Sequence, residues 1–287
     1  MFVISLNEDR TKIQVKTNDD QESILIAEGD IAADIPDHTV LIIFNQITIP
    51  SDNYQQIDQF LSAVYTFIES LYDSLICIRF PKTFDNQIPF DKLQYHNVIP
   101  DFMTVTMDHM KYYPENNLQD RQEQYELITD RERIFSYAEQ VRVLMNREAF
   151  WSKKWDFQEM CNRINSATNN AMILDKINNC PCAFGRLFLV KSKDDTFGYL
   201  SDIAVDSTHQ SKGLGRIIVN YLVGIVSNLA NQQQNYHSTL CLQCAKEGSG
   251  AISAKKLYQK SGFQFLNDLG NRIAIFPKKR IVPEHQN

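Results

Sequence analysis

Six residues, Gln210-Ser211-Lys212-Gly213-Leu214-Gly215, constrain this chain more than any other stretch. A strand-like run, Phe197 to Val205, leads into them, and a helix-like run, Leu214 to about Leu229, leads out. A glycine-rich turn at that junction leaves backbone N–H groups unpaired, at the helix end that carries partial positive charge. Such a turn is suited to receive a phosphate. Gly213 and Gly215 can take positive φ and let a ligand approach the backbone closely. Alone, the turn is equally a plain strand–helix connection with glycine for packing, so its surroundings decide.

The 287 residues suit one large domain or two ordinary ones. Strand patterns fall at Phe2–Leu6, Lys12–Lys16, Ser23–Ala27, Thr39–Phe44 and Ser74–Phe80. Before the last of these, Ile57, Phe60, Leu61, Val64, Phe67, Ile68 and Leu71 form a helical stripe, with Ser51 or Asp52 as the expected cap. A proline-punctuated stretch from Pro81 to Pro100 precedes a further strand over Met103–His109. The polar run Tyr113–Gln122 has no periodicity and reads as a linker. The expected division is therefore an N-terminal α/β domain over 1–118, a linker over 119–122 and a second domain over 123–287.

In the second part, Gln124–Thr129 reads as a strand. Ile134, Ala138, Val141, Leu144 and Met145 share one helical face, and Phe157, Met160, Cys161 and Ile164 another, with Asp156 as a cap. Strands Ala183–Val190 and Thr196–Val205 flank a tight polar loop, Lys191–Asp195, a hairpin signal. After the glycine turn and its helix come strand His237–Cys244, helix Ser249–Lys260, and strands Gln264–Leu266 and Arg272–Phe276.

The resulting order, β-α-α-β-β-α-β-α-β, resembles the GNAT N-acetyltransferase superfamily. The family's turn reads V-x-P-x-x-[RQ]-G-x-G-[IL]-[GA]. Here Val205, Gln210, Gly213, Leu214 and Gly215 match, with Ser207 for a frequent proline, Ser211 for a frequent glycine, and basic Lys212 and Arg216. A second element, Ala254-Lys255-Lys256-Leu257-Tyr258-Gln259-Lys260-Ser261-Gly262-Phe263, is similar to A-x-x-L-Y-x-x-x-G-F. A fainter likeness to a fungal and bacterial subgroup lies in Tyr125–Arg131, Phe150-Trp151-Ser152 and Tyr199–Val205. The resemblance covers roughly residues 123–277. It implies a mixed-sheet α/β (α+β) acyltransferase fold there, and it covers nothing of the additional N-terminal α/β domain read upstream.

The resemblance further implies acetyl-CoA as acyl donor and a primary amine as acceptor, on a small molecule or a protein. The backbone of Ile203, Ala204 and Val205 would bond the pantetheine arm as an added strand does. The amides of Gln210, Ser211, Lys212, Gly213, Leu214 and Gly215, with Arg216, would hold the diphosphate. Tyr258 would protonate the departing thiolate, helped by Lys255, Lys256 and Lys260 nearby, since a cation lowers a phenol's pKa. Asp202 is the first candidate base for the amine, against the plainer reading of a hydrogen-bonded carboxylate near a strand splay; Glu247 and water are alternatives. Strict alternation puts Ser201, Ile203 and Val205 on one face and Leu200, Asp202 and Ala204 on the other. Ala251 stands where many members have a coenzyme-contacting asparagine.

Other readings are plainer. His209 is a phosphate contact or a solvated loop residue, and Trp151 and Trp155 line an acceptor entrance or cap the helical layer. Cys180-x-Cys182 and Cys241-x-x-Cys244 read as apolar packing rather than zinc, because residues three apart on a strand face opposite ways. No metal is expected. Net charge is -6, which argues against a general nucleic-acid binder and suits a cationic substrate. The N-terminus lacks an export pattern and no apolar run approaches membrane-spanning length, so the expected place is the cytoplasm, or the nucleus by diffusion. Lys278-Lys279-Arg280 reads as a solvated tail. The upstream half is a cover for the acceptor, a surface for a homodimer, or a diverged copy of the same fold. The rival function is a coenzyme-A-binding module without turnover; a P-loop is disfavoured because G-x-x-x-x-G-K-[ST] is missing.

Overall fold

The computed structural model describes residues 2–17, 24–34, 39–50, 53–72, 75–79, 102–106, 118, 121–193, 195–231, 237–244, 251–265 and 273–276. They divide into two compact units, residues 1–99 with 270–287, and residues 100–269.

In the first unit, β1 (Phe2–Leu6), β2 (Lys12–Thr17), β3 (Leu25–Asp34) and β4 (Thr39–Ile47) form an antiparallel meander. Helix α1 (Tyr54–Leu71) then carries the chain to β5 (Leu75–Arg79), which lies parallel to β4. The apolar stripe of α1 is its inner face: Ile57, Phe60, Leu61, Val64 and Ile68 are buried against Ile13, Val15, Val40, Ile42 and Phe44. The cap is Asn53, whose side chain accepts from the Gln56 amide. The residues expected in that role, Ser51 and Asp52, lie outside the described residues, as do Pro81–Pro100 and most of the expected linker.

The second unit opens on β6 (Phe102–Thr106) and β7 (Tyr125–Ile128). Helices α2 (Arg131–Ser136), α3 (Ala138–Glu148) and α4 (Phe157–Ser166) follow. The single helix expected around 134–145 is thus two, divided at Tyr137. Asp130 caps α2 through the Arg133 amide, and Asp156 caps α4 through the Glu159 amide, as the sequence led one to expect of Asp156. Next come β8 (Asn169–Asp175), β9 (Cys180–Lys191), β10 (Asp195–Val205), α5 (Leu214–Asn231), β11 (His237–Gln243), α6 (Ala251–Lys260) and β12 (Gln264–Phe265). β8 is absent from the strands expected above, because its residues 170–175 are all buried and show no alternation.

The second sheet runs β12-β6-β11-β10-β9-β8-β7, antiparallel throughout except for β10 beside β11. One face packs on α5 and α6 through Leu187, Leu200, Leu240 and Leu242. The other packs on α3 and α4 through Met172, Phe184 and Ala204. The last strand, β13 (Ile273–Phe276), pairs with β5 in the first sheet. The expected division had kept β6 with the first part and β13 with the second; each belongs to the other sheet. No helix among the described residues is long and apolar enough to cross a membrane.

Candidate functional site

The parallel ladder between β10 and β11 ends at Leu200 and Leu242, while β10 runs on to Val205. Past Leu200, among the described residues, the ladder of β10 is the one with β9. There the strand is bulged: Ser201 pairs with Arg186 and Ala204 with Phe184, so Asp202 and Ile203 stand against Gly185. Asp202 takes φ of 55° to make this possible. The bulge resets the alternation. Leu200, Ile203 and Val205 all pack on the α5 face, whereas strict alternation had put Leu200 opposite the other two.

Beyond the bulge, the Asp206 amide donates to Cys182, so residues an even number back along β10 turn their main-chain groups toward β9. Ala204 is one of these. Val205 faces the opposite edge, and its carbonyl accepts from the Gln210 side chain at 3.2 Å. Of the three residues expected to meet a pantetheine arm, Ala204 is thus turned to its own sheet, and Val205 borders the gap. Ile203 sits within the bulge without a ladder partner on β9.

The turn after β10 is as open as its sequence suggests. Asp206 caps a short 3-10 turn, Ser207–His209, through the Thr208 amide. Ser211 and Gly213 then take φ of 61° and 82°, and α5 begins at Leu214. The first helical donors are Arg216 and Ile217, both to Gly213 oxygen. Among the described residues, the amides of Gln210, Ser211, Lys212, Gly213, Leu214 and Gly215 donate to no acceptor. A Cβ on Gly213 would meet nothing within 4 Å, so the space in front of it is open. Gly215 is different: a Cβ there would lie 3.3 Å from Leu257 of α6 and 3.4 Å from Val205, so its smallness serves packing. Lys212 and Arg216 are exposed beside these amides.

Residues that the sequence reading missed hold this turn in place. Arg121 donates to the Lys212 carbonyl at 2.6 Å. Lys212 Nζ lies 3.4 Å from the Tyr125 hydroxyl, and the Tyr125 ring meets His209 edge-on. His209 is neither solvated nor turned to the open side: its Nε2 lies 3.3 Å from Asp175 Oδ2 and its Nδ1 2.9 Å from Thr208 Oγ1. Burial pushes the Asp175 carboxyl up, but Asn178, the Ile177 amide and His209 outweigh it and hold it below its ordinary value. Asp206 behaves alike: burial is outweighed by Thr208, Arg147 and His209. Arg121, Asp175 and Asn178 lie in no recognisable motif, because they come to the turn from stretches far from it in sequence.

Asp202 is 5% exposed. Arg186 Nε donates to its Oδ2 at 2.6 Å, and Trp151 Nε1 to its Oδ1 at 3.3 Å. Arg163 approaches Oδ2 at 3.8 Å while its guanidinium lies 3.8 Å above the Trp155 ring. Each carboxylate oxygen is thus engaged by a donor. Trp155 is buried within the helical layer; Trp151 is 46% exposed with its indole edge fastened to the bulge. Glu247, the alternative base, and Lys278-Lys279-Arg280 lie outside the described residues.

Tyr258 is buried on α6, with its ring edge-on to Phe263 at 6.0 Å. Burial first, and the Cys244 thiol second, push its phenol well above its ordinary value. The expected lowering by Lys255, Lys256 and Lys260 is not what governs it. Ala251, which replaces the asparagine many members carry, is the first residue of the same helix and is buried. Cys241 donates to Gly198 oxygen, whereas Cys244 packs with Tyr258, and burial raises the Cys182 thiol to about 12. Among the described residues no cluster of three or more His, Cys, Asp or Glu is arranged to hold a metal.

The acetyltransferase (GNAT) family model matches residues 121–263. Among solved structures, a GCN5-related N-acetyltransferase from Kribbella flavida is 9% identical over 92% of this chain and 85% of its own, with a TM-score of 0.41. A Drosophila protein is 10% identical over 92% and 77%, at 0.45. The glucosamine-6-phosphate N-acetyltransferase of Arabidopsis thaliana is 16% identical over 49% and 91%, at 0.35. At these TM-scores none of the three bears on substrate or mechanism. No curated protein matches the chain significantly.

Proposed function

Because the chain belongs, through residues 121–263, to the acetyltransferase (GNAT) family, we propose that it moves an acetyl group from acetyl-CoA to a primary amine by direct attack on the thioester. The observation that carries this reading is the set of outward, unclaimed amides from Gln210 to Gly215 at the start of α5. A diphosphate needs many convergent donors, and a helix start supplies them without desolvating a fixed cation. The exposed Lys212 and Arg216 add charge at the same place.

The residues present fit that coenzyme. The turn would hold its diphosphate, and the main chain of Val205, turned away from β9, would receive the amides of its pantetheine arm. Bound there, it supplies an acetyl group already activated as a thioester. In the transfer a C–N bond forms, the C–S bond breaks, and one proton leaves nitrogen while one reaches sulfur. Tyr258 is suited to give the second proton, since a phenol kept well above its ordinary value stays protonated at neutral pH. Asp202 is badly placed to take the first. Both of its oxygens are already engaged, by Arg186 and by Trp151. We assign it the holding of the bulge and of Trp151, and leave the amine's proton to water.

The acceptor class is an amine, on a small molecule or a protein, approaching past the exposed indole of Trp151. The test is an acetyl-CoA-dependent acetylation assay over alkylamines, amino acids, aminoglycosides and peptide N-termini. Stoichiometric release of free thiol with acetylated amine is the expected result. Coenzyme binding with no acetylation of any amine would favour the rival, a binding module without turnover.

A further inference from the structure

We infer that this chain contains the same fold twice, and that only the second copy has kept a place for a coenzyme. The first clause stands on topology alone; the second rests on the function proposed above. Read from one edge, the first sheet runs β13-β5-β4-β3-β2-β1, and the second, inside β12, runs β6-β11-β10-β9-β8-β7. Taken in that order, the ladders of both are antiparallel, parallel, antiparallel, antiparallel and antiparallel. In both, the parallel pair is joined by a helix of 18 residues, α1 or α5.

The likeness extends to single residues. In each sheet the strand before that helix is bulged near its end, at Asn45 in β4 and at Asp202 in β10. A glycine faces each bulge from the neighbouring strand, Gly29 in β3 and Gly185 in β9. The residue after each glycine then bonds the bulge residue across the strands. Asn45 Nδ2 donates to Asp30 at 2.7 Å, and Arg186 Nε donates to Asp202 at 2.6 Å. Glycine is needed in both places for space: a Cβ on Gly29 would lie 2.3 Å from Ile43 oxygen, and one on Gly185 would lie 2.5 Å from Ile218. Matching strand order, crossover, bulge, glycine and polar pin are independent features, and shared descent explains all of them. The strand next to the parallel pair comes, in each sheet, from the segment that follows the other copy in sequence. The copies have therefore exchanged their last strands.

The copies differ where chemistry would occur. Between β7 and β8 the second copy inserts α2, α3 and α4, whereas between β1 and β2 the first has only the turn from Asn7 to Thr11. At the helix start, the first copy has Thr48-Ile49-Pro50-Ser51-Asp52-Asn53 in place of the glycine turn. Pro50 has no N–H to offer, the Asn53 amide donates to Pro50 oxygen, and the Gln56 amide is taken by the Asn53 side chain. Asp52 adds a negative charge to the segment. Among the described residues, the start of α1 thus spends its Asn53 and Gln56 amides internally and has no glycine turn, where the amides from Gln210 to Gly215 before α5 are unclaimed.

Calorimetric titration of coenzyme A into the full chain tests this. One molecule bound per chain is expected in the parent and in Asn53→Ala, with none in Gly213→Val. If Gly213→Val loses its circular dichroism, Gly213→Ala serves instead, with affinity lowered at least several-fold and no tight site left. Two molecules per chain, or one tight site surviving in the Gly213 variants, would overturn the single-site inference and leave coenzyme binding standing. No binding in the parent would overturn both this inference and the proposed function.

Discussion

Arg121 donates to the main-chain oxygen of Lys212 at 2.6 Å, across 91 residues of sequence. In a trans peptide the carbonyl and the following N–H point in opposite directions. A Lys212 oxygen turned to Arg121 therefore turns the Gly213 amide away, into the open space before α5. Replacing Arg121 with alanine should raise KM for acetyl-CoA by about three- to tenfold, the range for one lost charged hydrogen bond near the surface, with kcat little changed. An unaltered KM would remove Arg121 from the account.

In the proposed transfer, Tyr258 is the residue that gives the departing sulfur its proton. Burial and the Cys244 thiol raise its phenol. A raised phenol is protonated below its shifted value, so the donor form persists through neutral and mildly alkaline solution. The kcat profile should show no falling limb from this group up to about pH 10, the ordinary phenol value. Tyr258→Phe should lower kcat by about 100-fold or more with coenzyme affinity unchanged. Full kcat in the phenylalanine variant would dismiss the acid role.

The support behind the turn gives a dependence on acid. Asp175 and Asp206 are both held below their ordinary values, so each favours folding while ionised. That contribution is complete above the unfolded value, about pH 4, and fades as pH falls through the lower, folded values. Asp175→Asn should destabilise the protein at neutral pH and flatten the loss of stability below pH 4, measured by urea unfolding from pH 2 to 7. Equal loss at every pH would mean that the charge of Asp175 contributes nothing.

Gly185 tests the bulge. A methyl at this position would lie 2.5 Å from Ile218 and 2.6 Å from Ile203. Gly185→Ala should cost about 1–3 kcal/mol, the usual penalty for overpacking a filled core, read as a lowered urea midpoint at constant slope. An unchanged midpoint would show that α5 yields freely, and that the glycine is not what fits it to the sheet.

Much of this was legible in the sequence, for local reasons. The α5 turn declares itself because glycine at Gly213 answers a backbone need, and α1 and α5 because their apolar residues recur at helical spacing. What stayed hidden was non-local. A bulge shifts register by placing two residues against one, and nothing in Leu200–Val205 announces it; strict alternation consequently misassigned Leu200. β8 escaped because a strand buried on both faces does not alternate. The exchange of β6 and β13 depends on pairings such as Ala274 with Ile78, far apart in the chain. Arg186 and Arg121 belong to no motif, yet they decide what Asp202 and the Lys212 carbonyl do. The cations beside Tyr258 in sequence were misleading, since burial and Cys244 govern its phenol.

The central claim is that the main-chain amides from Gln210 to Gly215 grip the diphosphate of the coenzyme. Backbone amide resonances of the labelled protein, followed while coenzyme A is added, test it most directly. The largest downfield shifts are expected at Gly213, Leu214 and Gly215, with saturation at one equivalent. Resonances of residues 210–215 that stay in place while coenzyme perturbs another part of the chain would contradict it.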